Sequence, residues 1–146
     1  MLSYQIFSKI NQPTQEIKLS IIDFLYEYLG QYGDPKAAIK KCVDYSLCID
    51  DQLGGHILCA YDDSELVGVV VINKTGMKEY IPENILVYIA TKSDRRGQGI
   101  GTTLLNKTIE NVDGNIALHV EPENPAKKLY ESLGFTNKYL EMRLNK

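Results

Sequence analysis

The residues best placed to do chemistry are Arg95-Arg96-Gly97-Gln98-Gly99-Ile100-Gly101. They follow an apolar run, Ile85-Leu86-Val87-Tyr88-Ile89-Ala90, and precede a helical pattern that begins near Ile100. Strand, glycine-rich turn and helix start, in that order, build an anion site. Glycines let the backbone approach a ligand closely and take positive φ. The first helical turn presents unpaired N–H groups and the positive end of the helix dipole. A phosphate or pyrophosphate suits such a turn. Two phosphate loops do not match it. A P-loop needs Gly-Lys-Ser/Thr, and Gly101-Thr102-Thr103 lacks the lysine. A dinucleotide fingerprint is spaced G-x-G-x-x-G, with an acidic residue about twenty residues on. Here the spacing is G-x-G-x-G, and 45 residues follow Gly101 in a chain of 146, too few for the rest of such a domain.

A third pattern, the acetyl-CoA loop Arg/Gln-x-x-Gly-x-Gly/Ala, is met at every defined position by Arg96-Gly97-Gln98-Gly99-Ile100-Gly101. Downstream, Ile116-Ala117-Leu118-His119-Val120 reads as a strand. It is followed by Asn124-Pro125-Ala126-Lys127-Lys128-Leu129-Tyr130-Glu131-Ser132-Leu133-Gly134-Phe135. Together the two segments resemble the paired CoA-binding motifs of the GCN5-related N-acetyltransferase (GNAT) superfamily. The resemblance is strongest over residues 85–143. It implies an acetyl-CoA-dependent N-acetyltransferase that modifies a primary amine of a small molecule or protein by direct attack in a ternary complex, without a metal. The alternative it leaves is a non-catalytic acyl-CoA-binding or regulatory module on the same fold.

By that resemblance, the backbone through Arg96, Gly97, Gln98, Gly99, Ile100, Gly101 and Thr102 binds the CoA pyrophosphate. The side chains of Arg95 and Arg96 either add charge or are simply solvated. The strand at Ile89-Ala90-Thr91 pairs with the pantetheine arm as an added strand would. One N–H there is the oxyanion donor, a contribution worth about 3 kcal/mol in enzymes generally. Tyr130 protonates the leaving thiolate, which a phenol of ordinary pKa near ~10 can do. Asn124 caps the last helix and contacts pantetheine or CoA, and Lys127 or Lys128 reaches a phosphate. The base stays open. Many relatives carry a glutamate where Ile85 stands here. Glu83 shares strand parity with Ile85. His119 takes the place of the glutamate in the Leu-Glu-Val of protein N-terminal acetyltransferases, and an imidazole of ordinary pKa near ~6.5 suits proton transfer. A water chain is the third route.

Composition is consistent with one domain over residues 1–146. A chain this size buries roughly 70% of its unfolded surface, and 44% hydrophobic with 24% charged residues is an ordinary globular balance. The net charge of −3 argues against binding a nucleic-acid backbone and mildly favours cationic substrates. Cys42, Cys48 and Cys59 are odd in number and lack zinc-type spacing, so reduced thiols and a cytoplasmic setting are expected, with Cys48 and Cys59 as core hydrophobes. No signal peptide is evident and no run of ~18 apolar residues suggests a membrane span. Superfamily habit makes a homodimer one expectation.

The positioning elements follow from periodicity. Residues 3–10 alternate as an edge strand. Ile17, Ile21, Phe24, Leu25 and Tyr28 recur at helical spacing. Asp34 suits the cap of a second helix, with Ala38, Ile39, Cys42 and Val43 inward. A hairpin turns at Asp62-Asp63-Ser64-Glu65, and the strand 85–91 reads as buried on both faces. Ile100, Leu104, Leu105, Ile109 and Val112 make the inner stripe of the helix after the glycine turn. Ala126, Leu129, Tyr130 and Leu133 make that of the last, with strands over 135–139 and 139–144 after it. The order β-α-α-β-β-β-α-β-α-β-β predicts an α/β fold of the GNAT type, a splayed mixed sheet with helices on both faces. The acceptor site would fall in residues 14–50 and 73–84, where acids (Glu16, Asp23, Glu27, Asp50, Asp51, Glu79) and tyrosines (Tyr26, Tyr28, Tyr45, Tyr80) suit a cationic amine.

Overall fold

A computed structural model describes residues 1–146. The elements are β1 (Leu2–Phe7), α1 (Gln15–Leu29), α2 (Lys36–Ser46), β2 (Gly55–Asp62), β3 (Glu65–Lys74), β4 (Asn84–Thr91), α3 (Ile100–Asn111), β5 (Ile116–Leu118) and α4 (Ala126–Ser132). The five strands form one sheet in sequence order. β1 to β4 are antiparallel neighbours. β5 runs parallel to β4, because α3 carries the chain back across the sheet. No helix is long and apolar enough to cross a membrane.

Local chemistry sets the boundaries. The Thr14 hydroxyl accepts from the Ile17 N–H at 3.2 Å and starts α1. Gly30, at φ 56°, ends it. The strands then sort their side chains by parity. Ile57, Cys59, Val69 and Val71 face α1 and α2, where they meet Ile21, Leu25, Ile39 and Val43. Leu58, Ala60, Val70 and Ile72 face α3 and pack on Ile100, Leu104 and Leu105, with Tyr130 of α4 joining them. The sheet therefore has helices on both faces, as expected. Gly68 of β3 makes the second layer close. A Cβ there would come within 2.7 Å of Leu104 Cδ1 and 3.0 Å of Ile100 Cγ2.

Several expectations are corrected. Asp34 does not cap α2. Pro35 occupies that position without a side-chain bond, and Ala38 is exposed. In α3, Thr108 is buried and Ile109 is 40% exposed. Nine residues are two and a half turns, which puts Ile109 opposite Ile100. β4 is not sealed on both faces but alternates buried and half-buried positions. β5 stops at Leu118, so His119 and Val120 lie beyond it. Cys59 is buried and Cys48 only half-buried. Residues 136–146 form no strands, and Leu140, Met142 and Leu144 are exposed. Their alternation is strand-like, but β5 ends the sheet with an edge only three residues long.

Gly68→Val should lower unfolding stability by about 2 kcal/mol, as overpacking under a helix does. Denaturant titration at unchanged slope measures it.

Candidate active site

The site begins where two strands part. β4 pairs with β5 at three positions, Asn84 with Ile116, Ile85 with Ala117 and Leu86 with Leu118. β4 then continues to Thr91 bonded to β3 alone. The parting coincides with a bulge. Ile72 opposes Leu86 while Val71 opposes Tyr88, so Val87 is an extra residue. The bulge shifts the parity of the strand. Leu86 packs towards α3, whereas Tyr88 and Ala90 pack towards α1 and α2. From Val87 to Thr91 the edge that faces β5 has no strand to bond.

That edge leads into the glycine turn. Gly97 and Gly99 have φ of 79° and 82°, and Gly99 precedes α3 without a side-chain cap. A Cβ on either would meet nothing within 4 Å, so glycine is required there by conformation and not by space. The Thr103 N–H is bonded to the Gly99 carbonyl at 3.0 Å. The amides of Ile100, Gly101 and Thr102 precede it in the first turn and have no helical acceptor. A cavity of about 220 Å³ opens over them, lined also by Thr91, Gly97, Gly99 and Leu129. At Gly101 a Cβ would lie 3.4 Å from Leu129 Cδ2, an ordinary contact, so neither space nor conformation requires glycine there. These features fit a pyrophosphate: bare donors, a helix N-terminus and room above them.

Arg95 and Arg96 also line this cavity, and their side chains have protein partners as well. Arg95 pairs with Asp62 at 2.8 Å and Glu65 at 3.8 Å, and its Nε donates to Gln98 at 3.1 Å. Arg96 donates to the Tyr28 carbonyl at 3.1 Å, near the end of α1. Both side chains tie the loop to its neighbours.

Tyr130 is buried on the α3 face of the sheet. It belongs to the cluster that holds Ile89 from β4 and Leu118 and Val120 from the β5 side. Its ring meets Phe135 edge-on, centroids 5.9 Å apart. Burial pushes its phenol up to about 12. The Leu-Gly-Phe that follows is a helix stop. Gly134, at φ 101°, donates to the Glu131 carbonyl, and Phe135 donates to that of Tyr130, both at 3.1 Å. Asn124 Oδ1 accepts from the Ala126 N–H at 2.9 Å, and Lys127 is half-buried on the same helix. His119 is exposed, one residue past the end of β5.

Glu83 is not brought to this place. It lines a separate hollow of about 900 Å³ with His56, Asn84, Asn111 and Asp113. It rests against Gly114, where a Cβ would come within 2.0 Å of its Oε2. Four residues of strand, about 13 Å, separate it from Val87. In the same hollow, His56 Nε2 is buried without a partner, and burial with the charge of Lys74 holds its imidazole below the usual range. Sequence reasoning missed one polar pair on the α1 and α2 face of β4. The Tyr88 hydroxyl donates to Asp34 Oδ2 at 2.5 Å. The two are 54 residues apart, and no local spacing signals such a contact.

A family model described as acetyltransferase (GNAT) domain matches residues 53–137. The chain belongs to this family of acetyltransferases. Among solved structures it is similar to a transcriptional regulator from Bacillus halodurans, with TM-score 0.72 and 18% identity over 99% of this chain and 100% of that one. An aminoglycoside N-acetyltransferase in complex with CoA is also similar, with TM-score 0.70 and 16% identity over 100% and 95% of the two chains. So is a ribosomal-protein-alanine N-acetyltransferase from Brucella melitensis biovar Abortus, with TM-score 0.65 and 17% identity over 100% and 99%. At these identities the likeness concerns the fold. No curated protein sequence matches the chain significantly.

Gly99→Ala should weaken CoA binding about tenfold, because a left-handed non-glycine residue costs roughly 1–2 kcal/mol. Gly101→Ala should leave the affinity within about threefold, since the added methyl makes ordinary contacts. Isothermal titration with CoA compares the two.

Proposed function

We propose that the chain is an acetyl-CoA-dependent N-acetyltransferase that acetylates a primary amine of a small molecule or protein by direct attack within a ternary complex. One observation carries this reading: the unpaired edge of β4 ends at Thr91, which lines the same cavity as the bare amides at the start of α3. An edge offers a ladder to an amide-bearing arm, and the helix start offers donors to its pyrophosphate. Bound acetyl-CoA supplies an acetyl thioester. The chain's residues do the rest. Amides from Arg96 to Thr102 hold the anion, and Asn124, just before α4, and Lys127 on it make the further contacts to CoA. An outward N–H within Ile89–Thr91 donates to the oxygen that gains charge. Tyr130 delivers a proton to sulfur as the C–S bond breaks. The surplus proton of the amine leaves through His119 or through water. Glu83 has a weaker claim to that role, because it faces another hollow.

Burial favours the acid form of Tyr130 and raises its phenol to about 12. The proton donor therefore persists across the working range. Activity should rise with pH as the acceptor amine loses its proton, with no fall before about pH 11. Tyr130→Phe should lower kcat about a hundredfold and leave KM for acetyl-CoA within about threefold. Thiol release from acetyl-CoA across a panel of amines reads both effects. CoA binding without thiol release from any amine would favour the non-catalytic module instead.

A further inference from the structure

The hollow of about 900 Å³ around His56 lies at the opposite end of β4 from the glycine turn, and no residue borders both cavities. Its size suits a small ligand. Both signs of charge border it. Lys9 lies beyond β1, Lys74 ends β3 and Lys78 follows in the β3–β4 connection, whereas Glu83 precedes β4 and Asp113 precedes β5. None of these side chains forms an ion pair, so the two signs stand apart across the hollow. His56, near the start of β2, adds a buried Nε2 with no partner. Burial and the charge of Lys74 hold its imidazole below the usual range, and a neutral ring can donate one hydrogen bond from Nε2. Asn111 and Val112 bring the end of α3 to the acidic side, where unpaired carbonyls favour a cation. Ile6, Ile10, Leu53 and Met77 border the same hollow, and all four are exposed. Strand order sets the span. Neighbouring strands lie about 4.8 Å apart, so His56 on β2 and Glu83 at the start of β4 stand two spacings, about 10 Å, from one another.

We propose that this hollow is a second ligand site, which binds a free apolar peptide of about three residues with its carboxylate at Lys74 and His56 and its ammonium at Glu83 and Asp113. An extended tripeptide spans about 10 Å between its ends, which matches the separation of the two charged sides. A single amino acid is too short to reach both. A simple anion or cation would leave one sign unanswered. Charge-assisted bonds at the two ends fix the direction of the chain. Its side chains then cover the exposed apolar residues at the border of the hollow.

Isothermal titration of the CoA-loaded protein with the tripeptide Ala-Leu-Ala is the test. Affinity should fall at least about tenfold when the peptide amine is acetylated, and again when its carboxylate is amidated instead, because each change removes one charged end. Glu83→Gln should weaken Ala-Leu-Ala at least about fivefold and leave the N-acetylated peptide unchanged. Lys74→Gln should weaken Ala-Leu-Ala by a similar factor and leave the amidated peptide unchanged. Tripeptide binding that neither substitution alters would belong to another part of the molecule and overturn the assignment. Equal affinity for the three forms of the peptide would overturn it too, as would no binding of Ala-Leu-Ala at millimolar concentration.

Discussion

The parting of β4 from β5 is the constraint around which the molecule is arranged. Inside a packed domain, a strand edge is a row of donors and acceptors that cost free energy unless something bonds them. Here the parallel ladder stops after Leu86 and Leu118, just before the extra residue Val87. The edge beyond it must be met by water or by a ligand that brings its own amides. Gly68 lets α3 sit close on the sheet, which fixes the start of α3 at the far end of that edge. Tyr130 belongs to the same buried cluster as Leu86 of β4, and its ring meets Phe135. The bulge also turns Tyr88 and Ala90 to the α1 and α2 face, so the two faces of the site receive different chemistry from one strand.

Charge is used for anchoring more than for recognition at the glycine turn. Arg95 binds Asp62 and Glu65, and the N-terminal amine binds Asp62 as well, at 2.9 Å. Hydrogen bonds from that amine and from Arg95 hold the Asp62 carboxyl below its usual range. The β2–β3 hairpin, the chain start and the loop are thereby tied together. Arg96 meets the end of α1, where helix carbonyls lack partners and a cation is favoured. Both arginines still line the cavity over the first turn of α3, beside its backbone dipoles.

Much of this was legible in the sequence, and the exceptions share a cause. The glycine turn, the β2–β3 hairpin and the helix stop at Gly134 are local features, each set by residues within a few positions. Their order along the chain sufficed for the fold. The bulge at Val87 was not legible, because an even apolar run carries no mark of where its period slips. That slip also made β4 look sealed on both faces. Asp34 read as a cap because it precedes Pro35, and only tertiary packing brings it to Tyr88. The arginines read as free charge because their partners, Asp62 and the Tyr28 carbonyl, lie far along the chain. Glu83 shared parity with the expected base position but sits on the wrong side of the parting, in a different hollow.

The central claim is that the free edge of β4 and the first turn of α3 form one continuous seat for CoA. Amide hydrogen exchange with and without CoA tests it most directly. Protection confined to Val87–Thr91 and Gly97–Thr102, with the amides around His56 and Glu83 unchanged, is the result this account predicts. Protection centred on the hollow around His56 and Glu83, with the glycine turn unaffected, would contradict it.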